Sequence, residues 1–440
     1  MKEKIIKFYE NFSEIKNNNY LQKDQKQIEK EFYEMAKKLK NEKLSKSKSL
    51  VGFVKTKNYI LEFYPKIWRE LNDEKKEIRN IVELFKYAFL NEKLIHESMP
   101  LRKLEKTDSI YELFIKLYMF KLEKAIKDGF YFEYTERFDE SNYSKGKIEV
   151  KKQINKIDKS KFSIDFYEYD VNNILNQNLK YTNYYLINNI EDFNLKKDLI
   201  KIINQFPEEI SKTYYWVDKE IIFSKLNDRF EIPYNYASNL VRNRSSFTEY
   251  GKKKYLWFLF DMNKVFENFV ANFLIKNKNK IFENHSEIKI IPQKGNKNFI
   301  FEESNESKNA GLRITRPDIL IEYSNKKIII DTKYKIIKDI KIESNEDDEN
   351  FIDDKSISNN DLYQIFTYSQ TYGSLINILL YPSMNETFFK GPYYFVDKLK
   401  DIRFYYGFIN LNFTEENWEN NMIYDLKNSL QKIIINKSIG

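Results

Sequence analysis

The chain has 440 residues, 42% hydrophobic and 16% aromatic, with 33 Tyr and 35 Phe; that is enough apolar matter for two or three domains and excludes disorder over most of its length. It has no Cys and only His96 and His285, which excludes disulfides and thiolate chemistry, leaves little for a His-rich zinc centre or a Ser-His-Asp triad, and restricts any metal to a hard cation on oxygen ligands, Mg²⁺ or Mn²⁺. The net charge is +8 with a pI near 8.9, a weak pointer to a polyanion; no apolar run nears the roughly 20 residues of a membrane span, Met1 opens no signal-peptide pattern, and a soluble, cytoplasmic protein is expected.

Residues 1–45 read as charged helix. Leu50–Trp68 reads as a hairpin, in which Val51, Phe53, Tyr59, Leu61 and Phe63 alternate with polar positions and Pro65 closes the second strand. The spacing predicts a helix over 74–90 and another after Thr107 or Asp108 as N-cap. Gly129–Tyr134 and Lys147–Val150 read as strands with Gly146 in the turn between them, and 170–206 as helical. Pro233 marks a turn, followed by Arg242 and Arg244, and the apolar pattern breaks near 245–252. That break divides an α+β region, residues 1–250, from a second domain, residues 251–440. The second domain reads as helix (254–276), strands (287–292 and 298–302), a hairpin, an acidic loop (341–358), helix (360–373) and strands (376–381, 393–396 and 404–412). Mixed in this way, the elements predict a central mixed sheet flanked by helices.

The hairpin RPDILIEYSNKKIIIDTKYK runs from Arg316 to Lys335. A two-residue turn at Ser324-Asn325 pairs Tyr323 with Lys326 and Glu322 with Lys327, and brings Asp318 opposite Asp331. Alternation puts Asp318, Leu320, Glu322, Lys327, Ile329, Asp331 and Lys333 on one face and Ile319, Ile321, Tyr323, Ile328 and Ile330 on the other. Both faces are apolar between their ends, which predicts a strand pair covered on both sides. Two carboxylates about 4 Å apart at an effective dielectric of 20 repel by roughly 4 kcal/mol, unless a proton or a divalent cation lies between them. Acid-x-Lys tripeptides recur at Asp73–Lys75 and Asp425–Lys427, so the tripeptide alone carries little. The Pro-Asp start, the facing acids and the buried setting distinguish this one.

Pro-Asp followed by Asp-x-Lys resembles the PD-(D/E)XK nuclease superfamily, with Asp331 at the second acid. Gln364 and Tyr368, at i and i+4 on one helix face, resemble the Gln-x3-Tyr motif that follows the catalytic Lys in RecB-type nucleases. The order of VGFVKTKNYILEFYPKI, KGKIEVKKQI, YDVNNILNQNLK, FDMNKVFENFV, TRPDIL, IIIDTKYK and DLYQIFTYS is similar to that of the McrC family, the nuclease subunit of McrBC-type restriction systems, over about Leu50 to Tyr381.

The resemblance implies an α/β PD-(D/E)XK domain that cuts double-stranded DNA. Asp318, Asp331, Lys333, Gln364 and Tyr368 would be its catalytic residues. Asp318, Asp331 and the helix residue Glu267 would hold Mg²⁺, with Asp261 a weaker candidate. The resemblance also implies an N-terminal region that docks on a hexameric McrB-like AAA+ GTPase and stimulates it. A double-strand cut would require two nuclease centres to meet, so dimerisation of that domain is expected, without a sequence signature. The chain has no Gly-x4-Gly-Lys-Ser/Thr of its own. Two other readings stay open at this point: a non-catalytic GTPase-activating adaptor that keeps the nuclease fold, and a stand-alone RecB-like repair nuclease.

Overall fold

The computed structural model describes residues 4–10, 49–55, 59–89, 107, 109–143, 146–148, 150–154, 160–241, 259–283, 287–293, 297–301, 311–323, 326–337, 357–394 and 402–435. Lys4–Tyr9 (β1) is a strand, where the surrounding charge predicts helix. Its Ile5, Ile6, Phe8 and Tyr9 suit a pleated surface, and Phe8 is buried with its ring 5.7 Å from Phe63. The expected hairpin forms from Leu50–Lys55 (β2) and Tyr59–Tyr64 (β3). All six residues of β3 are buried, Glu62 included, so it is a central strand covered on both faces. Glu62 is satisfied by the Tyr111 amide at 2.7 Å and the Tyr64 hydroxyl at 2.9 Å.

Two helices cover this sheet. Glu74–Ala88 starts at Asp73, whose carboxylate accepts the Lys75 and Lys76 amides. Ile110–Lys127 starts at Ser109, just beyond the two caps the sequence suggests. Glu133–Ser141 (β4), Lys147–Ile148 (β5) and Phe162–Asp170 (β6) form a separate antiparallel sheet in the order β4-β6-β5. The strand expected at Gly129 therefore begins only at Glu133. β6 alternates apolar and polar residues through Phe162, Ser163, Ile164, Asp165 and Phe166, a strand signal the sequence reading passes over. The helix expected from 170 to 206 is two, Ile174–Asn189 and Phe193–Ile203, split where Asp192 caps the second by accepting the Leu195 amide at 2.7 Å. Pro233 lies in the first turn of helix Glu231–Val241 rather than in a loop; a missing N–H there removes no helical bond. Arg242, Arg244 and the break at 245–252 lie outside the described residues.

Leu259–Asp261 (β7) pairs with β2 and completes a four-stranded sheet in the order β1-β3-β2-β7. The chain just past the expected break is therefore part of the N-terminal sheet, and the following helix runs only over Met262–Lys276. Then come Lys289–Pro292 (β8), Lys297–Phe301 (β9), Gly311–Thr315 (β10), Ile319–Tyr323 (β11), Lys326–Thr332 (β12), helix Asn359–Tyr372, Ile376–Ser383 (β13), Phe388–Tyr394 (β14) and Arg403–Asn410 (β15). Most of the acidic loop lies outside the described residues.

Six strands form a mixed sheet in the order β14-β15-β13-β12-β11-β8, with β12, β13 and β15 parallel. One face, with Ile319, Ile321, Ile328 and Ile330, packs in the same core as Phe266 and Phe269. The other, with Leu320, Ile329 and Leu379, packs with Ile365, Tyr368 and Tyr372 of the crossover helix. The two-sided burial expected of the hairpin is thus present. A final helix, Trp418–Ile435, has no counterpart in the sequence reading.

Candidate active site

The β11–β12 ladder has the expected register, Tyr323 with Lys326, Glu322 with Lys327 and Ile319 with Ile330. It ends one pair short of the two aspartates. Asp318 has left the strand, and its carbonyl accepts the Gln293 amide at 2.7 Å. Its carboxylate turns onto the end of β12, where Oδ2 accepts the Thr332 amide and the Thr332 hydroxyl, each at 2.7 Å. The two acids therefore sit at the same end of the hairpin without facing each other bare.

Asp331 is 1% exposed. Its Oδ2 lies 2.6 Å from Lys333 Nζ, an ion pair. Burial pushes the Asp331 carboxyl well above the usual carboxylate range; Lys333 opposes this and the Asp318 charge adds to it. For Lys333, burial works to lower the ammonium, and the neighbouring Asp331 more than reverses that, so its pKa is raised.

The crossover helix is capped by Ser358 through the Asp361 amide and ends at Gly373, whose φ of 65° supplies the left-handed C-terminal turn. It presents Gln364 and Tyr368 to the pair. Lys333 Nζ donates to Gln364 Oε1 at 2.9 Å, and Gln364 Nε2 donates to the Tyr368 hydroxyl at 2.7 Å. The amide is thereby fixed in one orientation. Glu267, on the Met262–Lys276 helix, approaches from the other side. It accepts Gln293 Nε2 at 2.6 Å, and burial followed by the Asp318 charge raises its pKa. Asp261, by contrast, caps that helix by accepting the Asn263 amide at 3.0 Å.

The structure thus gathers Asp318, Asp331, Lys333, Gln364, Tyr368 and Glu267 in one neighbourhood. Sequence reasoning missed Thr332, which holds Asp318 through its amide as well as its hydroxyl, and Gln293, which braces both Glu267 and the Asp318 backbone. Thr332 stands inside the Asp-x-Lys tripeptide and could have been suspected. Gln293 has no sequence signal; its φ of 47° follows from the turn after β8.

The donor set suits a hard cation: two carboxylates, one of them buried and held above its ordinary pKa by its surroundings, with a third nearby. Among the described residues no group of three or more His, Cys, Asp or Glu side chains is drawn together as a cage. Mg²⁺ does not require one, since it is held by one or two carboxylates and keeps several waters. Among the described residues, no helix is long and apolar enough to cross a membrane.

Fold and site together define a mixed α/β protein with an acid–lysine cluster at the carboxyl end of a buried central strand. The chain belongs to the McrBC 5-methylcytosine restriction system component family, whose model matches residues 45–382. It is similar in fold to a chain of the half-complex from the tetradecameric assembly of Thermococcus gammatolerans McrB AAA+ hexamers with bound McrC, with a TM-score of 0.65 at 17% identity over 96% of this chain and 99% of that one. A chain of the Thermococcus gammatolerans McrBC complex aligns at a TM-score of 0.40 and 21% identity, over 62% of this chain and 88% of that one. No curated protein matches the chain.

Proposed function

We propose that this chain is the DNA-cutting subunit of a McrBC-type restriction system, a Mg²⁺-dependent phosphodiester hydrolase with a PD-(D/E)XK site that works with an McrB-like AAA+ GTPase and stimulates it. Family membership supports the system, and the fold shared with the McrB–McrC half-complex supports the partner. The observation that carries the chemistry is the chain of contacts from Asp331 through Lys333 and Gln364 to Tyr368.

Asp318 and Asp331 would hold the divalent cation, with Glu267 beside them. Bound there, the ion supplies a water of lowered pKa and neutralises charge on the phosphate. Thr332 keeps Asp318 aimed at the site. Lys333, charged and already directed by Gln364, donates to the phosphate oxygens as negative charge builds on them. Tyr368 fixes the Gln364 amide so that its oxygen, and not its nitrogen, meets Lys333.

The test is cleavage of methylated double-stranded DNA by the chain with an McrB-like partner, GTP and Mg²⁺. Asp331→Ala and Lys333→Ala are each expected to lower the cutting rate by roughly 10²-fold or more, with partner GTP hydrolysis still stimulated. Wild-type cutting rates in both variants would refute the assignment. GTPase stimulation with no metal-dependent cutting under any condition would instead identify an adaptor.

A further inference from the structure

The residue after Lys333 points to the opposite face of the sheet and is tied to the far end of the sequence. Tyr334 is 3% exposed, and its hydroxyl donates to Glu10 Oε1 at 2.8 Å. Glu10 follows β1 directly, is itself 3% exposed, and also accepts the Lys66 amide at 3.1 Å. The Tyr334 ring packs 6.1 Å from Phe266, the neighbour of Glu267, and Lys66 Nζ lies 5.4 Å from its centroid. One side chain therefore joins the backbone of Lys333 to the Glu267 helix and to the N-terminal sheet.

The bond is buried at both ends, with the Tyr334 ring in the apolar core, and a cleft borders it on the Glu10 side. Glu10, Lys66 and Arg69 on one wall and Ile336, Pro382 and Ser383 on the other line a cleft of about 930 Å³ outside the carboxyl ends of β12 and β13. Packing seats the Tyr334 ring in the core, and the hydrogen bond ties its hydroxyl end to the N-terminal sheet. Other fixed points here are the Lys333 amide, which donates to the Leu380 carbonyl at 2.8 Å, the Lys333 carbonyl, which accepts the Lys335 amide at 2.8 Å, and the Ile67 backbone, which bonds the Tyr334 hydroxyl. Those bonds set the backbone at the end of β12, and the Tyr334–Glu10 bond links that end to the N-terminal strand.

We infer that Glu10, acting through Tyr334, is a positioning residue for Lys333: the N-terminal strand holds the end of β12 so that the ammonium meets Asp331 and Gln364. The inference rests on the reading of Lys333 as a catalytic residue.

Three variants test it in the full complex with partner, GTP and Mg²⁺. Tyr334→Phe removes the donor and keeps the ring, Glu10→Ala removes the acceptor, and Glu10→Gln keeps an acceptor oxygen. Displacement of a catalytic group by about 1 Å costs up to roughly 10²-fold. The first two variants are therefore expected to lower kcat for DNA cutting about 10- to 100-fold with the half-saturating DNA concentration unchanged, and Glu10→Gln is expected to retain most of the rate.

A second measurement needs no activity. Acylation of Lys333 by an amine-reactive ester, mapped by mass spectrometry against exposed Lys326, should rise severalfold in Tyr334→Phe and Glu10→Ala. Folded variants that cut at the wild-type rate, with Lys333 acylation unchanged, overturn the inference. A wild-type chain that never cuts defeats the nuclease reading alone, and acylation then still decides whether Glu10 positions Lys333.

Discussion

Removing the Lys333 ammonium leaves the Asp331 carboxyl buried beside the Asp318 charge. Loss of one partner from a fully buried pair costs roughly 3–5 kcal/mol. Here the loss is smaller, because the Lys333 side chain is 17% exposed and Asp331 can take up a proton. In wild type Lys333 lowers the Asp331 pKa, so Lys333→Ala drives it further above the unfolded value. A carboxyl raised in the folded state contributes stability below its ordinary pKa and loses it as pH rises through the folded value. The wild-type carboxyl is raised to about 7, so both proteins lose stability in parallel up to that pH; the gap between wild type and Lys333→Ala should widen only as pH rises beyond about 7, read from urea unfolding over that range in the presence of EDTA. A gap that stays constant or narrows would mean that the pair does not form. The same dependence explains which site residues were legible. Asp318, Asp331 and Lys333 are spaced by strand geometry, and Gln364 and Tyr368 by one helical turn, so periodicity alone aligns them. Thr332 acts partly through its backbone, and Gln293 reaches the site only because β8 lies beside β11; neither leaves a spacing to read.

Among the elements, the β11–β12 hairpin was legible to the residue because both its faces are apolar and its turn is short, which fixes the register. β1 was not, since its strand-forming Ile and Phe sit inside a highly charged segment and its partner β3 lies about 55 residues away in sequence. The last helix did carry a 3.6-residue period, in Met422, Ile423, Leu426, Leu430 and Ile433, and could have been read. The end of β1 also carries a pH signature. Burial raises Glu10 from 4.5 to about 7, with the charge of Lys66 and the bonds from Tyr334, Lys66 and Ser49 opposing it. A folded pKa above the unfolded one means that stability is fully present below 4.5 and is lost as pH rises through about 7. At about 1.4 kcal/mol per pH unit, wild type should lose roughly 3 kcal/mol relative to Glu10→Gln across that window. Parallel melting curves of the two proteins over the whole range would contradict this placement of Glu10.

At the scale of the molecule, a division near residue 250 follows the change in sequence pattern, but the contacts cross it repeatedly. β7 pairs with β2, and Asn272 Nδ2 donates to the Tyr87 carbonyl at 2.9 Å. Trp68, fully buried, donates its indole N–H to the Leu411 carbonyl at 3.1 Å, and Asn80 accepts the Phe413 amide at 2.9 Å. The last helix returns to the first region as well, with Trp418 5.9 Å from Tyr87 and the Tyr87 hydroxyl bonded to Glu419 at 2.5 Å. A single apolar core runs from Val51 through Phe85 and Phe269 to Ile433. Cutting the chain at 250 would expose large aromatic faces on both pieces and leave β2 as an unpaired edge, the conditions that favour aggregation. We therefore expect residues 1–250 and 251–440, expressed separately, to be insoluble or to lack cooperative unfolding. The intact chain should melt in one transition, which Trp68→Ala, at a cost of roughly 3–5 kcal/mol, lowers as a whole. Two soluble fragments, each melting cooperatively by calorimetry, would support the two-domain division that the sequence suggests and refute this expectation.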